Sequence, residues 1–234
     1  MKHSKKMILL VLVFCVVGFF AGDALAREVL YAPFEDYIDN TMPPQTTVWV
    51  GEVLQTWKCD FYNGTPPISG KVGNAFEFDG TMYIQVPSND PTLDFGYDDF
   101  AITFWVKTTI NKFNNTISDK RDFSGIGYHV AIYQGRPLLQ LHDTNYGMYN
   151  YWASSSSAVT DGQWHHIAIY VDRDDHAGGK MYVDGLCVLT FDPTRHTGSL
   201  TNSADLLIGG HKNFSGYNFE GTLDELRHFR FIPK

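Results

Sequence analysis

Apolar and polar side chains alternate with a period of two along most of this chain. Phe76, Phe78, Met82, Ile84 and Val86 share one side of their segment, and Glu77, Thr81, Tyr83 and Gln85 share the other. Phe100, Ile102, Phe104 and Val106 oppose Ala101, Thr103, Trp105 and Lys107, and Ile167, Ile169 and Val171 oppose His166, Ala168 and Tyr170. Successive strand residues point to opposite faces, so the pattern predicts strands of sheets with one buried face. From Gln163 to Cys187 the chain reads as a strand, a charged turn, a second strand and a tight Asp184-Gly185 turn. That is a hairpin signal, because such turns need positive φ. No window longer than about ten residues beyond Ala26 shows helical periodicity. Short strands parted by Gly, Asn, Asp and Pro clusters predict an all-β fold, a two-sheet antiparallel β-sandwich of jelly-roll type. Pro43, Pro44, Pro66 and Pro67 interrupt the pattern, so residues 35–70 read as an irregular excursion or an extra hairpin on the first strand.

The N-terminus departs from this alternation. Lys2, Lys5 and Lys6 precede an uncharged, mostly apolar run from Met7 to Gly22, and Ala24-Leu25-Ala26 gives a small-x-small cleavage pattern. Residues 1–26 are therefore expected to be a signal peptide, leaving 27–234 as one domain that is secreted, periplasmic or on the cell surface. The run is shorter than a spanning helix needs, and no membrane span is expected in the mature chain. The whole chain carries a formal charge of −8, which disfavours nucleic acid as a partner. Cys59 and Cys187 remain after cleavage, and export permits a disulfide between them or leaves two buried thiols.

A series of phrases carries a family resemblance: Gly70 to Gly80 (GKVGNAFEFDG), Phe100 to Lys107 (FAITFWVK), Trp164 to Ala168 (WHHIA), Met181 to Gly185 (MYVDG), Leu207 to Gly210 (LIGG) and Phe219 to Arg227 (FEGTLDELR). In this order they resemble the laminin G-like jelly rolls of the concanavalin A-like lectin and glucanase superfamily, over about residues 28–232. The resemblance implies hairpin turns at Asp79-Gly80 and Asp184-Gly185, with Trp105 and Trp164 filling the sandwich. It also implies one structural Ca²⁺ where the first and last strands meet, with Glu35 or Asp36 and Asp224 as ligands. Two residues separate Leu223 from Leu226, so alternation breaks there, either at a bulge that redirects Asp224 or in a short helical turn.

The fold hosts lectins, adhesion modules, lyases and hydrolases, so function must be read from a site. The E-x-D-x-x-E strand of the superfamily's glucanases is absent, and Gln140-Leu141-His142 matches only one of the motifs of similar alginate lyases. His129, His142 and His211 lack zinc-type spacing. The acidic run Asp172 to His176 reads as a solvated hairpin turn. Asn145 to Trp152 (NYGMYNYW) gathers aromatic and amide side chains, suited to sugar rings that present apolar faces and hydroxyls. His142, Asp143, Tyr149, Asn150, Tyr151 and Trp152 are the candidate ligand-binding residues, with Tyr149 and Tyr151 facing away from Asn150 and Trp152. The expectation is a non-catalytic module that binds carbohydrate or an extracellular protein. A polysaccharide lyase or hydrolase and a purely structural or adhesive subunit are the alternatives.

Overall fold

The computed structural model describes residues 24–35, 45–50, 56–62, 67–88 and 93–233. Residues 1–23 and Asp36 lie outside these. The strands are, in chain order, β1 (Ala24–Ala32), β2 (Gln45–Val50), β3 (Thr56–Tyr62), β4 (Ile68–Ser69), β5 (Asn74–Asp79), β6 (Tyr83–Val86), β7 (Asp99–Lys107) and β8 (Asn115–Arg121). They continue with β9 (Gly127–Tyr133), β10 (Arg136–His142), β11 (Tyr149–Trp152), β12 (His165–Val171), β13 (Gly179–Val183), β14 (Leu186–Phe191), β15 (Leu206–Ile208) and β16 (Glu220–Pro233). Among the described residues no helix is long and apolar enough to cross a membrane.

Two antiparallel sheets form the fold. One runs β11-β10-β9-β8-β15-β6, and the other β14-β13-β12-β7-β16, with β1 and β5 sharing the far edge of β16. The excursion after the first strand is a hairpin, β2–β3, which pairs β1 on one side and β6 on the other and so links the sheets. The alternation places the core between them. Phe76, Phe78, Phe104, Ile167 and Ile169 of one sheet are buried with Ile84, Val130, Ile132, Leu139 and Leu141 of the other. Removing this surface from water at about 25 cal/mol per Å² is the dominant favourable term in folding.

Several expectations need correction. Asp79-Gly80 does not close a hairpin: β5 pairs β4 and β16 while β6 pairs β3 and β15, so the chain changes sheets there. Asp79 Oδ1 holds that corner by accepting from the backbone N–H of Thr81 and Met82, at 2.8 and 2.9 Å. Asp184-Gly185 does form the turn between β13 and β14, with φ of 51° and 82°, the type I′ geometry that glycine makes accessible. Ala101 and Tyr170, read as outward, are buried with Phe229 and Phe231 in a second apolar cluster on the reverse of the β7–β16 sheet. Trp105 and Trp164 are half-buried and do not fill the sandwich. Trp105 lies on that reverse face, with the Lys71 ammonium 4.6 Å from its ring centre.

Cys187 is exposed and unbridged, so the Cys59–Cys187 disulfide is not formed. Its strand is the far edge of the second sheet, whereas β3 lies between β2 and β6. The acidic turn is not wholly solvated either. Arg173 is buried and donates to the carbonyls of Gly96, His196 and Gly198, pinning neighbouring loops.

Candidate functional site

Cross-strand register builds a polar row on the outer face of the first sheet. Asp119 pairs with His129, His129 with Gln140, and Gln140 with Asn150. The residues that alternate with them (Tyr128, Val130, Leu139, Leu141 and Tyr151) fill the core, so the row must face outward. Arg121 ties it together. Its guanidinium donates to both oxygens of Asp119, at 2.7 and 2.6 Å, and to Gln140 Oε1. Gln140 Nε2 then donates to Asn150 Oδ1 at 2.7 Å. Lys212 N adds a third bond to Asp119, at 3.1 Å. Arg121 and Lys212 keep Asp119 ionised and hold its carboxyl below the ordinary range, although burial works the other way.

Aromatic rings border the row. Trp152 stacks on Tyr133 with centroids 5.9 Å apart and 19° between planes, Phe113 meets Tyr133 at 4.8 Å, and Tyr217 lies 6.1 Å beyond Phe113. Tyr217 also packs against His211 and Phe214. Trp152 is 44% exposed, and Phe113 and Phe214 are exposed as well. The band therefore offers ring faces to solvent beside fixed amide and guanidinium groups.

This arrangement divides the predicted binding residues. Asn150, Trp152 and His142 lie on the outer face. Tyr151 faces inward, 6% exposed, with its ring 4.1 Å from Phe191 and its hydroxyl donating to the Asp192 carbonyl at 3.1 Å; it belongs to the core. Asp143 is also buried and structural. It accepts from the backbone N–H of Asn145, Tyr146 and Gly198 and lies 3.6 Å from the Arg173 guanidinium. Tyr149 sits on the Tyr151 side, with the Arg195 guanidinium 4.5 Å from its ring centre. Arg121, Gln140, Tyr133, Phe113 and Tyr217 were missed, because only pairing between strands and loops distant in sequence gathers them.

Two groupings bear on metal binding. Ligand atoms of Asp119, His129 and His211 lie within 4.8 Å of one another. Arg121, however, bonds both Asp119 oxygens and approaches His211 Nε2 to 3.1 Å. A guanidinium, not a metal ion, neutralises the carboxylate of this cluster. The second grouping surrounds the turn at residues 70–74. The β16 bulge predicted at Leu223–Leu226 is present, with a register shift between Asp224 and Arg227 and φ of 52° at Glu225. It buries Asp224, whose Oδ2 accepts from Val72 N at 2.8 Å while Oδ1 has no partner. Glu35 meets the same turn, accepting from Asn74 N at 3.2 Å. A side chain at Gly70 would stand 2.6 Å from the Asn74 carbonyl oxygen and 2.8 Å from Asp224 Oδ2, so only glycine fits against this turn.

Solved structures with this architecture include domains described as binding domains. The binding domain of Paraclostridial Mosquitocidal Protein 1 superposes with a TM-score of 0.62 at 14% identity, over 87% of this chain and 49% of that one. Domain 4 of AbnA, a GH43 extracellular arabinanase from Geobacillus stearothermophilus, solved with arabinotriose, gives 0.60 at 18%, over 89% and 95%. The ligand-binding domain of botulinum neurotoxin serotype D, solved with N-acetylneuraminic acid, gives 0.52 at 16%, over 78% and 46%. The chain thus spans about half the length of the toxin domains it matches. No curated protein sequence matches it. The Laminin_G_3 family pattern, described as Concanavalin A-like lectin/glucanases superfamily, matches residues 78–231. With its two-sheet sandwich, this chain belongs to that family.

Proposed function

We propose that this protein is an exported, non-catalytic module that binds carbohydrate on the outer face of the β8–β11 sheet. The observation that carries the reading is Trp152, exposed and stacked on Tyr133 beside the Arg121–Gln140–Asn150 row. Apolar sugar faces stack on such rings, and fixed polar groups select among hydroxyls with little ordering at the moment of binding. Similar domains solved with arabinotriose and N-acetylneuraminic acid support the class of ligand. Glycoside hydrolysis usually employs two carboxyl groups flanking the scissile bond. On this face Asp119 is bonded through both oxygens, and Asp122 is turned into its own loop by Ser124 and Ile126. That supports binding without bond cleavage. A glycan array probed with the purified protein tests the proposal: retention without product formation supports it, and depolymerisation overturns the non-catalytic part.

A structural Ca²⁺ at the 70–74 turn is a second element of the proposal. Asp224 Oδ1 is a buried carboxylate oxygen without a hydrogen-bond partner, and such hard oxygens are the ligand chemistry calcium takes. Glu35 contributes through the same turn, and Asp36 falls outside the described residues. Chelation is expected to lower the melting temperature of the wild type and to leave Asp224→Ala unchanged. No shift with chelator removes the cation from the account.

A further inference from the structure

We infer that the saccharide recognised by this face is acidic, its carboxylate seated beside Lys212; this rests on the carbohydrate reading above. A cavity of about 260 Å³ opens at the Arg121 end of the polar row, lined among others by Arg121, Phe123, His142, Met148 and Lys212. The chain as a whole is acidic, at −8, yet this cavity gathers two permanent cations and an imidazole beside a single carboxylate, Asp122.

Asp122 and the neighbouring Asp119 are already engaged. Asp119 is bonded to Arg121, and Asp122 accepts from Ser124 Oγ at 2.6 Å and Ile126 N at 3.0 Å. The Lys212 ammonium donates to the Arg121 carbonyl and lies 4.7 Å from the Phe123 ring centre. The ammonium thus touches a neutral oxygen and a ring face, with the charges of Asp119 and Asp122 nearby. His142 is seated against the backbone of the 121–126 loop, where a side chain on Gly125 would stand 2.7 Å from its Nδ1.

A second observation points to a missing acceptor. His211 Nδ1 accepts from the backbone N–H of Asn213 and Phe214, each at 3.2 Å. That fixes the proton of the neutral ring on Nε2. Nε2–H then faces Arg121 Nη2, another donor, at 3.1 Å. Arg121 Nη2 already donates to Asp119 Oδ2, so it is the His211 Nε2–H that lacks an acceptor and favours an incoming anionic oxygen, and charge-assisted bonds are about twice as strong as neutral ones.

The test is a saccharide array carrying galacturonate, glucuronate, mannuronate and sialate oligomers, each beside its carboxyl-reduced counterpart and a set of neutral glycans. The purified protein is expected to bind at least one acidic form, to lose about tenfold or more in affinity on carboxyl reduction, and to weaken as salt screens the contact. Lys212→Met, which keeps the apolar stem, is expected to erase that difference while the melting temperature stays near the wild-type value. Binding to neutral glycans, or equal binding to acid and reduced forms, overturns the acidic assignment and leaves the carbohydrate reading standing. Binding to nothing on the array counts against both.

Discussion

Tyr151 and Trp152 are adjacent in sequence and opposite in role, and exchanging each for alanine separates core from site. Tyr151 is 6% exposed, packs on Phe191 at 4.1 Å and donates to the Asp192 carbonyl. Truncating a buried aromatic to alanine costs about 3–5 kcal/mol, the lost transfer energy plus the cavity left behind. In a domain of this size 1 kcal/mol moves Tm by about 2–4 °C, so Tyr151→Ala is expected to melt roughly 6–20 °C lower. Tyr151→Phe should lose about 0.5–1.5 kcal/mol, the net value of the hydroxyl bond. Trp152 is 44% exposed and its main ring neighbour is Tyr133, so Trp152→Ala is expected to cost about 1 kcal/mol or less. Saccharide affinity should respond in the opposite order: lost in Trp152→Ala and kept in Tyr151→Phe. Urea denaturation and calorimetric titration of the same three variants read both quantities. Equal destabilisation by the two alanine variants, or saccharide binding retained by Trp152→Ala, would refute the assignment of faces.

Lys120 is buried with its ammonium 3.0 Å from Asp94 and further bonds to Ser88 and Asn202; Lys120→Met strands that carboxylate and should cost about 3–5 kcal/mol in urea denaturation, whereas a loss below about 1 kcal/mol would deny the pair a structural role. Burial pushes His228 down to about 3, and His129 likewise. The unfolded rings take up a proton near 6.5 that the folded rings resist, so this contribution is complete above pH 6.5 and is lost as pH falls toward 3, by up to about 1.4 kcal/mol per pH unit for each ring. Asp99, raised to about 6 by burial, works in the opposite sense, so the informative quantity is the stability difference between wild type and His228→Gln, expected to shrink from pH 7.5 to pH 4.5. A difference independent of pH would contradict it.

The core was legible in the sequence because period-two alternation is a local consequence of strand geometry. Phe76, Phe104 and Ile169 could be assigned to the interior from their neighbours alone. The same rule separated Tyr151 from Trp152. It failed at Ala101 and Tyr170, where Phe229 and Phe231 of the last strand bury the reverse face, a contact between segments far apart in the chain. Lys120 sits in the polar run Ser118 to Arg121, where no local pattern marks it as buried; only the fold brings Asp94 and Asn202 to it. The proposed binding face was half visible. Asn150, Trp152 and His142 come from one stretch, but Arg121, Tyr133 and Phe113 join them through register and loop packing. The bulge at Asp224 was signalled by the two-residue gap between Leu223 and Leu226, since a strand cannot otherwise keep both leucines inside.

A titration of the isotopically labelled protein with the saccharide that gives the strongest array signal, followed by backbone and indole amide shifts, tests the central claim most directly. The largest shifts are expected at the Trp152 indole, Asn150, Gln140, Arg121 and Lys212, all on the outer face of the first sheet. Shifts concentrated instead around the 70–74 turn or around Tyr149 and Arg195 would contradict it.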